Sequence, residues 1–156
     1  MRFPRTIRLD DADTRLFPLA AEPGEWAVSG AFVFSDRDQA TILGKGRQAF
    51  RTGFLGTASF GWSSLVVVSE IAQAEREAVI EALTRHLLDH YQAPDHATAR
   101  AFAEGEAAFG ASLCERPVNT IIAVERSFGP QGIGERFRVV EPNDETLAPE
   151  PKQSEE

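Results

Sequence analysis

Residues 63–71 read SSLVVVSEI. Leu65 to Val68 are apolar at odd and even positions alike, and the three valines are β-branched. A strand turns alternate residues to opposite faces, so this one has no face to give to water. It predicts a central strand of a sheet, covered on both sides. The residues that follow offer one covering layer. QAEREAVIEALTRHLLDHY, Gln73 to Tyr91, carries Ile80, Leu83, Leu87 and Tyr91 at helical spacing, a buried stripe. QAPD breaks that helix, and Asp95 is placed to cap the next one. The second helix, about His96 to Leu113, is alanine-rich, with Phe102, Phe109 and Leu113 predicted as its buried face. Together they predict a helical hairpin.

Upstream, RTIRL (Arg5 to Leu9) alternates as a short strand, DDAD turns the chain, and RLF (Arg15 to Phe17) reads as a second short strand. EPGE is a turn. EWAVSGAFVF then alternates a bulky face (Trp26, Val28, Phe32, Phe34) with a small one, as in a longer strand; Gly30 marks a bulge or a close backbone approach. Asp36, with Gln39 three residues on, resembles a capping box. Leu43, Phe50 and Phe54 predict a helix over Leu43 to Gly53, with Gly44 and Gly46 at its start, because each would cost its interior about 1 kcal/mol. NTIIAVERSF and GERFRVV form a hairpin across a glycine-rich loop, with Phe137 and Val139 on one face and Arg136 and Arg138 on the other. From Pro142 the chain is acidic, proline-containing and poor in apolar residues, as in a disordered tail. Strands and helices alternate irregularly. The expected fold is therefore α+β: a single domain over residues 1–141 with a mixed or largely antiparallel sheet, a helical hairpin and a C-terminal β-hairpin, followed by a disordered acidic tail over 142–156.

Charge and cysteine content narrow the function. The net charge is −8, which argues against nucleic acid as a partner. A single cysteine, Cys114, forms no internal disulfide, and the longest strongly apolar run is too short to cross a bilayer. A chain with neither a signal-peptide run nor a membrane span is expected in the cytoplasm.

The charge is uneven. From Gln39 to Ser69 there are three basic residues, Lys45, Arg47 and Arg51, and no acidic one. Five glycines, three Phe and Trp62 fall between Leu43 and Ser64. A glycine-rich entry to a helix exposes backbone N–H groups, so Lys45, Arg47, Arg51 and Trp62 form a candidate site for a phosphate or carboxylate with a flat ring. The competing reading is a packing joint with a solvated basic face. Neither a Walker loop nor a dinucleotide fingerprint is complete here. His86 and His90 lie four apart on a helix and could chelate a metal, but the HExxH arrangement with its general base is missing. Glu106 interrupts an apolar face and would need a partner such as an arginine; it is also a possible acid or base. Cys114, at a helix C-terminus where the dipole disfavours a thiolate, reads as a buried thiol. No cofactor is implied.

EPGEWAVSGAFVF, GKGRQAFRTGFLGTASFG, the helical pair around HYQAPD, and NTIIAVERSF with GIGERFRVV together resemble a family of small bacterial proteins, seen mainly in alphaproteobacteria, classed as a domain of unknown function. The resemblance implies a bacterial, single-domain protein and assigns no residue a role. The leading expectation is a non-catalytic protein-binding or accessory domain, with a protein partner or a homodimer and no membrane association. The alternatives are a small anionic ligand at residues 43–62, and a metal-dependent enzyme using His86 and His90.

Overall fold

The computed structural model describes residues 1–141, so the expected acidic tail lies outside the described residues. The fold is a single α+β domain with two antiparallel sheets and a C-terminal hairpin. The larger sheet has the order β1-β5-β6-β7, from β1 (Arg2–Ile7), β5 (Leu65–Glu70), β6 (Ile121–Gly129) and β7 (Gly132–Val140). The smaller has the order β2-β3-β4, from β2 (Ala27–Val28), β3 (Phe54–Gly56) and β4 (Trp62–Ser63). The valine-rich strand is β5, paired with β1 on one edge and β6 on the other. Its two faces are covered unequally. Val66 and Val68 are fully buried, against Phe54, Cys114, Ile122 and Val124, whereas Leu65 and Val67 are half-buried.

The helical hairpin forms as α3 (Gln73–His90) and α4 (His96–Ser112). Asp95 caps α4 by accepting from the Thr98 N–H at 2.8 Å. On α3, Ile80, Leu83 and Leu87 are buried as expected, together with Val79, but Tyr91 is exposed. On α4 the expectation is inverted. Its buried face is Ala99, Ala103, Ala107 and Gly110, whereas Phe102 and Phe109 are 44% and 40% exposed. Small residues let α4 lie close to α3, β1 and β2; a phenylalanine on that side would hold it off.

The N-terminal half departs from the sequence reading in four places. The first strand begins at Arg2 rather than Arg5. The expected strand at Arg15–Phe17 is instead α1 (Ala12–Leu16), started by the Asp10 carboxylate, which accepts from the Ala12 N–H at 2.8 Å. The expected strand from Trp26 to Phe34 stops at Val28. Gly30 takes a left-handed φ of +85°, and the chain continues as a 3-10 turn over Ala31–Phe34. Gly30 is a close approach: a Cβ there would lie 2.7 Å from the Leu55 Cβ. Asp36 caps no helix; a 3-10 turn at Gln39–Thr41 intervenes before α2 (Gly44–Thr52). Gly44, at φ +57°, opens α2, so this glycine does stand at the helix start.

Candidate functional site

The acid-free segment does meet anions, and they are the protein's own. After β3 the chain turns through Thr57–Gly61 around the buried carboxylate of Glu25. Glu25 accepts from the Ser59 N–H at 2.9 Å, the Ala58 N–H at 3.1 Å and the Ser59 hydroxyl at 2.7 Å, and from the Glu22 N–H at 2.7 Å. Burial pushes its pKa up, but these donors outweigh that and hold it below the usual carboxylate value. Just past Trp62, buried Asp13 accepts from the Ser64 N–H at 3.1 Å and its hydroxyl at 2.8 Å. Two carboxylates from the N-terminal region therefore satisfy the donors that the glycine-rich segment exposes. Neither was legible beforehand, because an acid in a turn usually faces water.

The four residues expected at an anion site are divided by the fold. Trp62 is in the core, 7% exposed, and tilts against Phe34 with ring centroids 5.4 Å apart. Gly30 and Gly53 leave room for its ring, since a Cβ on either would come within 2.9 Å of it. Trp62 is thus a packing residue with no face to stack on a ligand, which corrects its assignment. Lys45 is exposed near the start of α2. Arg47 and Arg51, one turn apart, do come together at a hollow beside β6, with Phe50, Phe128 and Arg126.

Arg126 was missed, although its signal is present: it takes the buried side of the Ile122, Val124, Arg126, Phe128 alternation. Its guanidinium is fully buried and pairs with Glu135 at 2.8 Å. It also donates to the Phe50 carbonyl at 2.8 Å, the Ala49 carbonyl at 3.4 Å and the Ser29 carbonyl. The Ala49 carbonyl already accepts from the Gly53 N–H at 2.9 Å, whereas the Phe50 carbonyl in the last turn of α2 has no such partner among the described residues, so Arg126 caps that helix from the neighbouring sheet. Burial lowers its pKa, opposed by the bond to Glu135 and by the charges of Glu135 and Glu106. Ser29 donates its hydroxyl to Glu135 and so closes the network.

Glu106 sits beside this network. Burial and then the Glu135 charge push its carboxyl up to about 7, with Arg126 opposing. The arginine expected to pair with Glu106 is thus present, but its hydrogen bonds go to Glu135. Around Glu106 runs an aromatic face. Phe102 meets Phe32 edge-on at 5.6 Å, Phe32 meets Tyr91 at 5.4 Å, and Phe109 meets Phe137 of β7 at 5.7 Å.

His86 and His90 are adjacent, with ring centroids 4.9 Å apart. His86 lies flat against Phe60 at 3.7 Å, and Phe60 takes an unusual φ of +58° in the Glu25-braced turn. Burial, then the charge of His90, lowers the His86 pKa, with Asp89 opposing. His96 is elsewhere, facing Glu81 at 3.8 Å. Among the described residues no cluster of three or more His, Cys, Asp or Glu could hold a metal ion. Cys114 is buried and unpaired, its thiol pushed up to about 12 by burial, with Arg2 opposing. No described helix is long and apolar enough to cross a membrane.

No curated protein and no solved structure matches the chain. A family model does match, over residues 1–151, and a match of that extent places the chain in the family of unknown function DUF6505.

Proposed function

We propose that this chain is a non-catalytic protein-binding domain that assembles through the outer face of α4, and that its partner there is a second copy of itself. The observation that carries the reading is the inverted helix. A helix that buries alanines and shows phenylalanines to solvent is patterned for a second partner. Phe102, Gly105, Phe109 and Ser112 follow a three-four-three spacing along that outer face, and all four are exposed. This is the seam of an antiparallel helix pair, with large and small residues alternating.

The alternation argues for self-pairing. Place two α4 helices antiparallel about a two-fold axis level with Ala107. Phe102 of one copy then lies over Ser112 of the other, and Phe109 over Gly105, so each large ring meets a small residue. An unpaired, unreactive thiol suits a reducing compartment, and we place the protein in the cytoplasm.

The test is the mass in solution of the wild type and of Gly105→Lys and Phe109→Ser, by light scattering on a sizing column. A Cβ at Gly105 meets nothing within 4 Å, so Gly105→Lys leaves the monomer fold unstrained, whereas Phe109→Ser also gives up the edge contact with Phe137. The wild type is expected at twice 17.1 kDa and the variants at 17.1 kDa. A wild-type monomer, or variants that remain dimeric, would refute this interface.

A further inference from the structure

We infer that the cleft between α2 and the β6–β7 hairpin, on Arg47 and Arg51, binds a small anion: a single aromatic ring carrying a carboxylate or phosphate. The cleft is separate from the α4 seam. It consists of a hollow of about 240 Å³ and an adjoining one of about 400 Å³ that share Arg51, Arg126 and Ser127. Phe50, Phe128 and Arg47 line only the smaller hollow, whose size suits one aromatic ring with one charged group.

The charges lining the cleft are unbalanced. Arg126 is neutralised by Glu135 at 2.8 Å, and Arg136 stands 3.9 Å from Glu125. Arg47 and Arg51 take part in no ion pair among the described residues. Only the Arg47 Nε is engaged, donating to the Ile42 carbonyl at 3.2 Å. Two guanidinium groups one turn apart on a helix can grip one carboxylate or phosphate from two directions. The buried Arg126 beneath them is held by its internal bonds and does not swing out to take the ligand itself. An apolar wall completes the site. Phe50 and Phe128 stack at 4.4 Å with 12° between their planes; Phe50 is 4% exposed, and Phe128 is half-buried and lines the hollow. The half-buried ring gives an aromatic ligand a surface to lie on, while the arginines hold its charge.

The experiment is thermal unfolding of the full chain with phenyl phosphate, benzoate or inorganic phosphate at millimolar concentration and fixed ionic strength. Anything held only by the folded state raises the midpoint. At least one of the two aromatic anions should raise it, and more than inorganic phosphate does; which one does so identifies the charged group. Arg47→Ala/Arg51→Ala, with both side chains on the surface, should weaken that effect at least tenfold in apparent affinity. Phe128→Leu should weaken the aromatic anions and leave inorganic phosphate unchanged. No shift with either aromatic anion, or a shift that survives in the double arginine variant, would overturn the assignment.

Discussion

Replacing Glu25 with alanine should destabilise the fold by about 3–4 kcal/mol at neutral pH, although the residue lies in a turn. Four donors converge on its carboxylate: the N–H groups of Glu22, Ala58 and Ser59 and the Ser59 hydroxyl. A hydrogen bond to a charged group contributes roughly 1.5–3 kcal/mol, so the full set of four would cost at least about 6 kcal/mol if every donor were stranded. Ala58 is exposed and Ser59 half-buried, so water replaces much of what is lost, and the net cost falls to about half that lower bound. Glu25→Gln keeps one acceptor and should lose about 2 kcal/mol. Urea unfolding followed by tryptophan fluorescence measures both, since Trp62 lies in the core beside this turn and the Gly61 N–H donates to the Ser59 hydroxyl at 3.0 Å. The pH dependence provides an independent check. The folded pKa of Glu25 lies below its unfolded value, so its contribution is complete above the unfolded value, about 4.3, and is lost as pH falls through the lower, folded one. The gap between wild type and Glu25→Gln should therefore close in acid. An alanine variant within 0.5 kcal/mol of wild type (about the scatter of a surface substitution), or a gap that persists in acid, would refute the argument that this carboxylate holds the glycine-rich turn.

Glu106→Gln should act in the opposite pH direction. The folded carboxyl is raised to about 7, so its favourable contribution is present at low pH and is lost as pH rises through that value; the variant should melt several degrees higher than wild type at pH 8 and close to it near pH 4.5. Two glycines should respond oppositely to alanine. Gly61→Ala places a Cβ 2.7 Å from backbone of Ala20 and should destabilise by at least about 2 kcal/mol, whereas Gly46→Ala meets nothing within 4 Å inside α2 and should stabilise by about 0.5–1 kcal/mol, both read from the same urea titration. Cys114, buried and with its thiol near 12, should react with a thiol reagent at pH 7 only as fast as the chain unfolds, and rapid labelling of native protein would contradict its placement.

The parts of the fold that were legible in sequence are those governed by local periodicity. Four consecutive apolar residues gave β5 its central place, and α3 and α4 followed from their spacing and the Asp95 cap. What failed depends on contacts distant in sequence. The alternation from Trp26 to Phe34 is a strand pattern, but the left-handed turn at Gly30 and the approach of Leu55 and Trp62 end the strand at Val28. Alanine and phenylalanine are both apolar, so the pattern of α4 allowed either face inward; the tight packing against α3 and β1 selects the alanines. The candidate site was legible in part. Arg47 and Arg51 are a helical pair in any reading, whereas the burial of Trp62 and the convergence of Arg126 and Glu135 on α2 depend on how the sheets meet.

The most direct test of the account is sedimentation of the unmodified chain over a range of concentrations. Burying the exposed parts of Phe102 and Phe109 in two copies removes about 300 Å² of apolar surface, worth about 8 kcal/mol before the cost of association. Half of that rests on Phe109, so Phe109→Ser should weaken the dimer about 1000-fold. The account predicts a concentration-dependent species at twice 17.1 kDa for wild type and its loss in the Phe109 variant; a species that stays at 17.1 kDa up to about 100 µM, a dissociation constant equivalent to about −5.5 kcal/mol, would contradict it.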